Sequence, residues 1–223
     1  MDVAAFLRQS RVLIVAGKGG VGKTTVSAAV ARMAANHGLS VLILELEGKA
    51  GLGTSFGRPE VLDYEEAVLV PGHDGAGEIR ARTLTPDDAL LEYLSDHGLR
   101  RVSKRLVSSG TLDVVATAAP GIRDILVLGK VKQLERTEAA DLIIVDAPAA
   151  GHTLTFLTSA QGFLDAVRVG PIRVQAGDVM ELLTDPKRCQ LLLVTLPEET
   201  PVNEVVETGF KLEDRVGVAL API

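Results

Sequence analysis

Tryptophan is absent from this 223-residue chain, and two tyrosines and five phenylalanines are its only aromatics, so any core must be built from aliphatic side chains. One cysteine, Cys189, excludes an intrachain disulfide framework and leaves no thiol pair to hold zinc, arsenite or a bridging cluster. It reads as a small buried hydrophobe beside a strand. The four histidines, His37, His73, His97 and His152, lack metal-ligand spacing. Three methionines are too few for a methionine-lined groove that binds promiscuously. No apolar run is long enough to cross a bilayer. The opening MDVAAFLRQS lacks the apolar core and cleavage pattern of a secretory leader. A net charge of −6 argues against general binding to nucleic-acid phosphates. Hydrophobic residues at 47% argue against disorder, and the length suits one domain, so a soluble cytoplasmic protein is expected.

What is present is concentrated first in Gly17-Lys18-Gly19-Gly20-Val21-Gly22-Lys23-Thr24-Thr25, directly after the apolar run Val12–Ala16. The run fits the phosphate-binding pattern G-x-x-x-x-G-K-[ST] in its required context of strand, loop and helix. Glycines let the backbone curl so that successive N–H groups face phosphate oxygens, and the following helix, Val26–His37, adds its positive end. Lys23 is then placed on the β and γ phosphates and Thr24 on Mg²⁺. An ordinary glycine-rich turn would not need the terminal Lys-Thr pair. The pattern predicts binding of a nucleoside triphosphate.

Strand-like runs alternate with helical patterns, which predicts an α/β fold: a doubly wound, mostly parallel sheet of P-loop NTPase type. The predicted strands are Val12–Ala16, Val41–Leu46, Glu78–Leu84, Leu142–Val145, Leu191–Leu196 and Val216–Leu220. The helices include Val26–His37, Pro86–Asp96, Leu99–Val107, Ile122–Arg136 and Pro201–Leu212. Gly38 suits a C-terminal cap, Thr85-Pro86 an N-terminal one, and Thr200-Pro201 repeats that device. Residues 58–120 and 155–188 break the simple alternation and read as helical inserts on a single domain. Along Leu99–Leu106, four cations face away from Leu99, Val102 and Leu106, as on a solvated helix face or one that docks to an acidic partner or membrane. The apolar strand at the C-terminus has nothing after it to cover it, so the natural protein is expected to continue past Ile223.

A P-loop lysine needs an acid on a second buried strand to hold Mg²⁺. Asp141–Asp146 supplies one, with Asp146 at the strand's carboxyl end where open α/β sheets place ligands. The small residues that follow, Ala147 to Thr153, suit a segment that senses the γ-phosphate. Lys18, the second loop lysine, is either a solvated cation or one that reaches the phosphates of another subunit.

The loop GKGGVGKTT, with its extra lysine, resembles the deviant-Walker-A ATPases. The segments DAPAAGHTLTFL (146–157), APGIRDILVLGKVKQLE (119–135) and VTLPEETPVNEVVE (194–207) resemble the arsenite-pump and tail-anchored-protein-targeting group, in its bacterial branch of paired paralogues. The resemblance implies ATP and Mg²⁺ as cofactors, Lys18 as an intersubunit catalytic lysine, Lys23 and Thr24 on phosphate and metal, and Asp146 opening switch II. It also implies a homodimer or a heterodimer with a paralogous ATPase, a client or membrane-associated partner, and an adenine-recognising Asn just past Ile223.

Switch I departs from the family pattern D-P-A-H-x-x-S-D. Glu47 falls on its first Asp, where it would help with Mg²⁺ directly or through water, and Thr54 falls on the water-orienting Asp. A threonine hydroxyl positions water but does not accept a proton at neutral pH. Either a partner subunit carries most turnover, or Glu45, Glu47, Asp63 or Asp74 substitutes; each of these acids otherwise reads as a solvated loop charge. Two alternatives remain open: a non-hydrolysing regulatory subunit, and a partition-type ATPase.

Overall fold

The computed structural model describes residues 2–46, 51–58, 62–96, 98 and 121–221. A short helix, α1 (Val3–Leu7), is capped by Asp2, whose carboxylate accepts from the Ala4 amide. There follow β1 (Val12–Gly17), α2 (Lys23–Asn36), β2 (Val41–Leu46) and a single turn, α3 (Leu52–Ser55). Next come β3 (Ala67–Val70), β4 (Ile79–Leu84), α4 (Pro86–Asp96), α5 (Ile122–Arg136) and β5 (Leu142–Ala149). The chain continues through α6 (Ala150–Ala166), α7 (Pro171–Thr184), β6 (Cys189–Val194), α8 (Glu199–Val216) and β7 (Ala219–Leu220).

The strands form one seven-stranded sheet in the order β3-β4-β2-β5-β1-β6-β7. Every pairing is parallel except that of β3 with β4. β1 and β2 are buried at every position, which is why they read as unbroken apolar runs: each face meets helices. Alternation divides their side chains. Val12, Ile14, Leu42, Leu44, Ile143 and Val145 pack with α5 to α8, while Leu13, Val15, Val41, Ile43, Leu142 and Ile144 pack with α1, α2 and α3. The alanines of α2 (Ala28, Ala31, Ala34, Ala35) let that helix lie close to the sheet. At the amino ends of β2 and β5, the Ser40 hydroxyl and amide donate to Asp141 Oδ2 at 2.7 and 2.8 Å and hold that carboxyl below its ordinary range. The fold is the doubly wound α/β sheet that the alternation of runs predicts.

Several boundaries differ from those read in the sequence. β3 is an added antiparallel edge strand, and with the expected strand of the first insert, β4, one residue shorter than Glu78–Leu84, it makes a hairpin. Its tip, the 71–78 loop, is stapled to α2 through the Gly77 amide on the Ala35 carbonyl, and a Cβ at Gly77 would stand 1.9 Å from the Leu39 carbonyl oxygen. α4 begins as expected, with the Thr85 hydroxyl accepting from the Asp88 amide at 3.1 Å. The helix expected at Leu99–Val107 lies outside the described residues. α6 and α7 fill the second region, packed with α5 on the sheet. β6 is Cys189–Val194 and not Leu191–Leu196, because its partner β1 ends at Gly17 opposite Val194. α8 starts at Glu199 with Glu198 as N-cap, so Thr200 is no cap, and it runs to Gly217 (φ 75°), which ends it in the left-handed conformation. That leaves Ala219–Leu220 as the last strand in place of Val216–Leu220.

Ile144 is fully buried on the central strand β5. Its replacement by alanine is expected to cost about 2–5 kcal/mol, read as a lowered midpoint in urea with an unchanged slope.

Candidate functional site

The glycine-rich loop leaves the carboxyl end of β1, in the middle of the sheet, where β5 and β6 flank it. Gly17 has φ 157°, and a Cβ there would stand 2.2 Å from the Val194 carbonyl oxygen of β6. Gly22 (φ 92°) turns the chain into α2, so Lys23 is the first helical residue and the expected start at Val26 moves back by three positions. The amino end of α2 therefore points into the loop, with its unsatisfied amides and positive dipole end. Lys18, Gly19 and Gly20 are exposed, Val21 is buried and Thr25 is exposed.

Lys23 is 7% exposed, and its ammonium donates to the Lys18 carbonyl at 2.9 Å, so the loop wraps its own lysine. One residue on, the Thr24 hydroxyl donates to Asp146 Oδ2 at 2.6 Å. Asp146 is fully buried on β5, register partner of Val15 on β1 and of Glu45 on β2. Helix α2 and strand β5 thus bring a hydroxyl and a carboxylate together beside the phosphate loop. Two hard oxygen donors beside a helix N-terminus fit Mg²⁺, which keeps most of its waters and takes one or two protein ligands. The residues present fit both the nucleotide and the metal that the loop pattern predicts.

The sequence model of the anion-transporting ATPase family matches residues 10–168, which include the glycine-rich loop, α2 and Asp146. The chain belongs to that family. The chain is 34% identical over 204 residues to the ATPase BagA of Mycobacterium tuberculosis, a match covering 88% of this chain and 59% of that protein. It is 27% identical over 222 residues to the arsenical pump-driving ATPase of Escherichia coli, covering 90% of this chain and 36% of that protein. To the ATPase get3 of Schizosaccharomyces japonicus it is 32% identical over 149 residues, covering 65% and 42%. The chain thus spans about three-fifths of the length of its mycobacterial relative.

The other acids of this anion-transporting ATPase family member sort by position. Glu47 lies outside the described residues. Thr54 is exposed on α3. Glu45, read as a solvated loop charge, is instead a buried strand residue, 2% exposed. Asp74 sits on the hairpin tip, beside the carboxyl end of α2 and so at the far end of the sheet from the loop. Asp63 is exposed near the end of β4, separated from Asp146 by β4 and β2. His152 is exposed at the start of α6, facing the half-buried Asp124, whose carboxyl burial raises. Cys189 is fully buried, and desolvation pushes its thiol up to about 12, as suits a core residue.

Two polar partners had no clear sequence signal. Glu204 on α8 pairs with Lys18, Nζ to Oε1 2.9 Å, across 186 positions of sequence. Glu45 was a candidate acid inside the expected strand Val41–Leu46, but its contact with the Leu52 amide left no trace in the sequence.

Because β6 leaves no room for a side chain at the loop's first position, Gly17→Ala is expected to lower stability by about 1–3 kcal/mol in chemical denaturation. A wild-type midpoint in that variant would show that the loop and β6 can separate freely.

Proposed function

We propose that this chain is a Mg·ATP-dependent switch ATPase that works as a dimer, a homodimer or a heterodimer with a paralogous ATPase. The observation that carries the reading is the Thr24–Asp146 contact at the head of α2, one residue from the enclosed Lys23. Loop amides and the α2 terminus would hold the phosphates, Lys23 the β and γ oxygens, and Thr24 with Asp146 the metal. Bound there, Mg²⁺ would neutralise charge on the phosphate oxygens. The chain's own part is to align the polyphosphate for in-line attack by water and to keep Lys23 in a dry, enclosed position. Adenine is the base proposed, on the strength of the family names alone.

Lys18 is proposed to act on the phosphates of the partner subunit, a cation supplied in trans to stabilise transition-state charge. Its side chain is half exposed and turned toward α8 of its own subunit. Nucleotide state would then set subunit arrangement, and a client or membrane-associated protein would read that arrangement. No helix among the described residues is long and apolar enough to cross a membrane. With the acidic net charge, this supports a cytoplasmic protein that does not bind nucleic acid.

A second reading rests on one observation. Thr54 is exposed on α3 and, by the resemblance of this segment to switch I, stands for the family's water-orienting Asp; a hydroxyl there would order water without taking its proton. A chain of that kind would bind nucleotide and leave most turnover to a partner with an intact switch I. Turnover that rises on Thr54→Asp would favour it; rapid hydrolysis by the unaltered chain alone would remove it.

Calorimetry and light scattering with Mg·ATP test the main reading. Lys23→Ala is expected to lower ATP affinity about 10–100-fold, the loss of a charge-assisted phosphate contact. Lys18→Ala is expected to keep ATP affinity within about threefold while ATP-driven association is lost and turnover falls about a thousandfold. An unchanged affinity in Lys23→Ala would overturn the proposal.

A further inference from the structure

Strand alternation places Val41, Ile43 and Glu45 of β2 on the sheet face covered by α2, and Leu142, Ile144 and Asp146 of β5 on that same face. Glu45, next to last in β2, and Asp146, three residues before the end of β5, are direct register partners, 2% and 0% exposed. A carboxylate withdrawn from water in such a place must find donors. One is the Leu52 amide, which donates to Glu45 Oε1 at 3.3 Å.

Leu52 opens α3 and is itself fully buried, while Thr54, two residues on, faces solvent. A helix of four residues cannot hold itself together, because so short a segment never recovers the cost of nucleation. Its position is set by what grips it. Among the described residues these grips include the Glu45 carboxylate on its first amide, the Leu52 side chain in the core, and Phe56 at its end, packed on the core with Arg32 of α2 stacked 4.8 Å over its ring.

We propose that Glu45 is a positioning residue: its carboxylate, fixed beside Asp146, tethers the amino end of α3 and sets where Thr54 stands relative to the phosphate and metal site. The proposal rests on the reading of Thr24 and Asp146 as that site. A divalent ion at Asp146 lies one strand away from Glu45, close enough to alter the pull of that carboxylate on its donors. The tether passes this change to α3, so the segment around Thr54 responds to nucleotide without touching it.

Two readouts test this apart from turnover. Amide hydrogen exchange at Leu52 is expected to speed about tenfold or more in Glu45→Ala, and to stay within about threefold of wild type in Glu45→Gln, whose amide oxygen still accepts. The second uses the absence of tryptophan: Phe56→Trp gives a single emitter at the end of α3, with Arg32 still able to stack on it. Mg·ATP is expected to shift its emission, Glu45→Ala to abolish the shift, and Glu45→Gln to retain it. Unchanged Leu52 exchange in Glu45→Ala would overturn the tether, and so would an emission shift that survives it. Calorimetry on the same proteins separates the two failures. Mg·ATP binding without any shift in Phe56→Trp refutes the coupling, while absence of binding refutes the underlying site and leaves Leu52 exchange to judge the tether.

Discussion

One hydroxyl and one carboxylate, Thr24 of α2 and Asp146 of β5, meet beside the glycine-rich loop at the centre of the sheet. Parallel strands with both faces covered offer water only their ends, and the carboxyl ends of β1 and β5 lie side by side in the strand order. The register shift between Val15 and Gly17 in that pairing lies at the last residues of β1, while Gly17 stays paired with Val194 of β6 just before the loop. From there the loop needs three things: a glycine where β6 presses on it, a left-handed glycine to start α2, and a lysine small enough in its reach to be wrapped by the loop itself. Gly17, Gly22 and Lys23 meet these needs in turn. The rest of the fold holds those ends still. Mainly aliphatic layers on both faces, with Phe156 buried among them, fix β1, β2 and β5 relative to α2.

Around this fixed centre the polar residues that could change partner lie on shorter or more exposed pieces. Lys18 is tied to Glu204 by a pair with side chains 52% and 44% exposed, an interaction worth about 0–1 kcal/mol in water. So weak a contact can hold the loop lysine toward α8 in one arrangement and release it in another without any large rearrangement. Thr54 rides on a four-residue turn whose grip comes from neighbours. The central acid is fully buried, while Lys18 and Thr54 near it are exposed, which suits the nucleotide-dependent switch proposed.

Much of this was legible in the sequence because burial on both faces removes alternation: Val12–Ala16, Val41–Leu46 and Leu142–Val145 read as continuous apolar runs, and each is a strand. Ile122–Arg136 was legible to the residue, bounded by Gly121 (φ 84°) and by Thr137. The phosphate loop and Asp146 were legible because their chemistry is local in the chain. β3 was not: four residues on an antiparallel edge, only Leu69 of them buried, carry too little pattern. The end of α8 was not either, since Val216-Gly217-Val218 reads as apolar strand until Gly217 is seen to be a helix cap. Glu45 looked like a loop acid because a doubly buried strand gives no polar signal to mark which face a residue takes. The Lys18–Glu204 pair is a product of tertiary packing and has no trace in sequence spacing.

On the function proposed, Thr24 and Asp146 together anchor the metal that lets the loop grip a triphosphate. Titration of ATP into the wild type and Thr24→Val, each in Mg²⁺ and in EDTA, measures it most directly. The account predicts that Mg²⁺ tightens ATP binding about tenfold or more in the wild type and has little effect in Thr24→Val. An equal gain from Mg²⁺ in both proteins would contradict it.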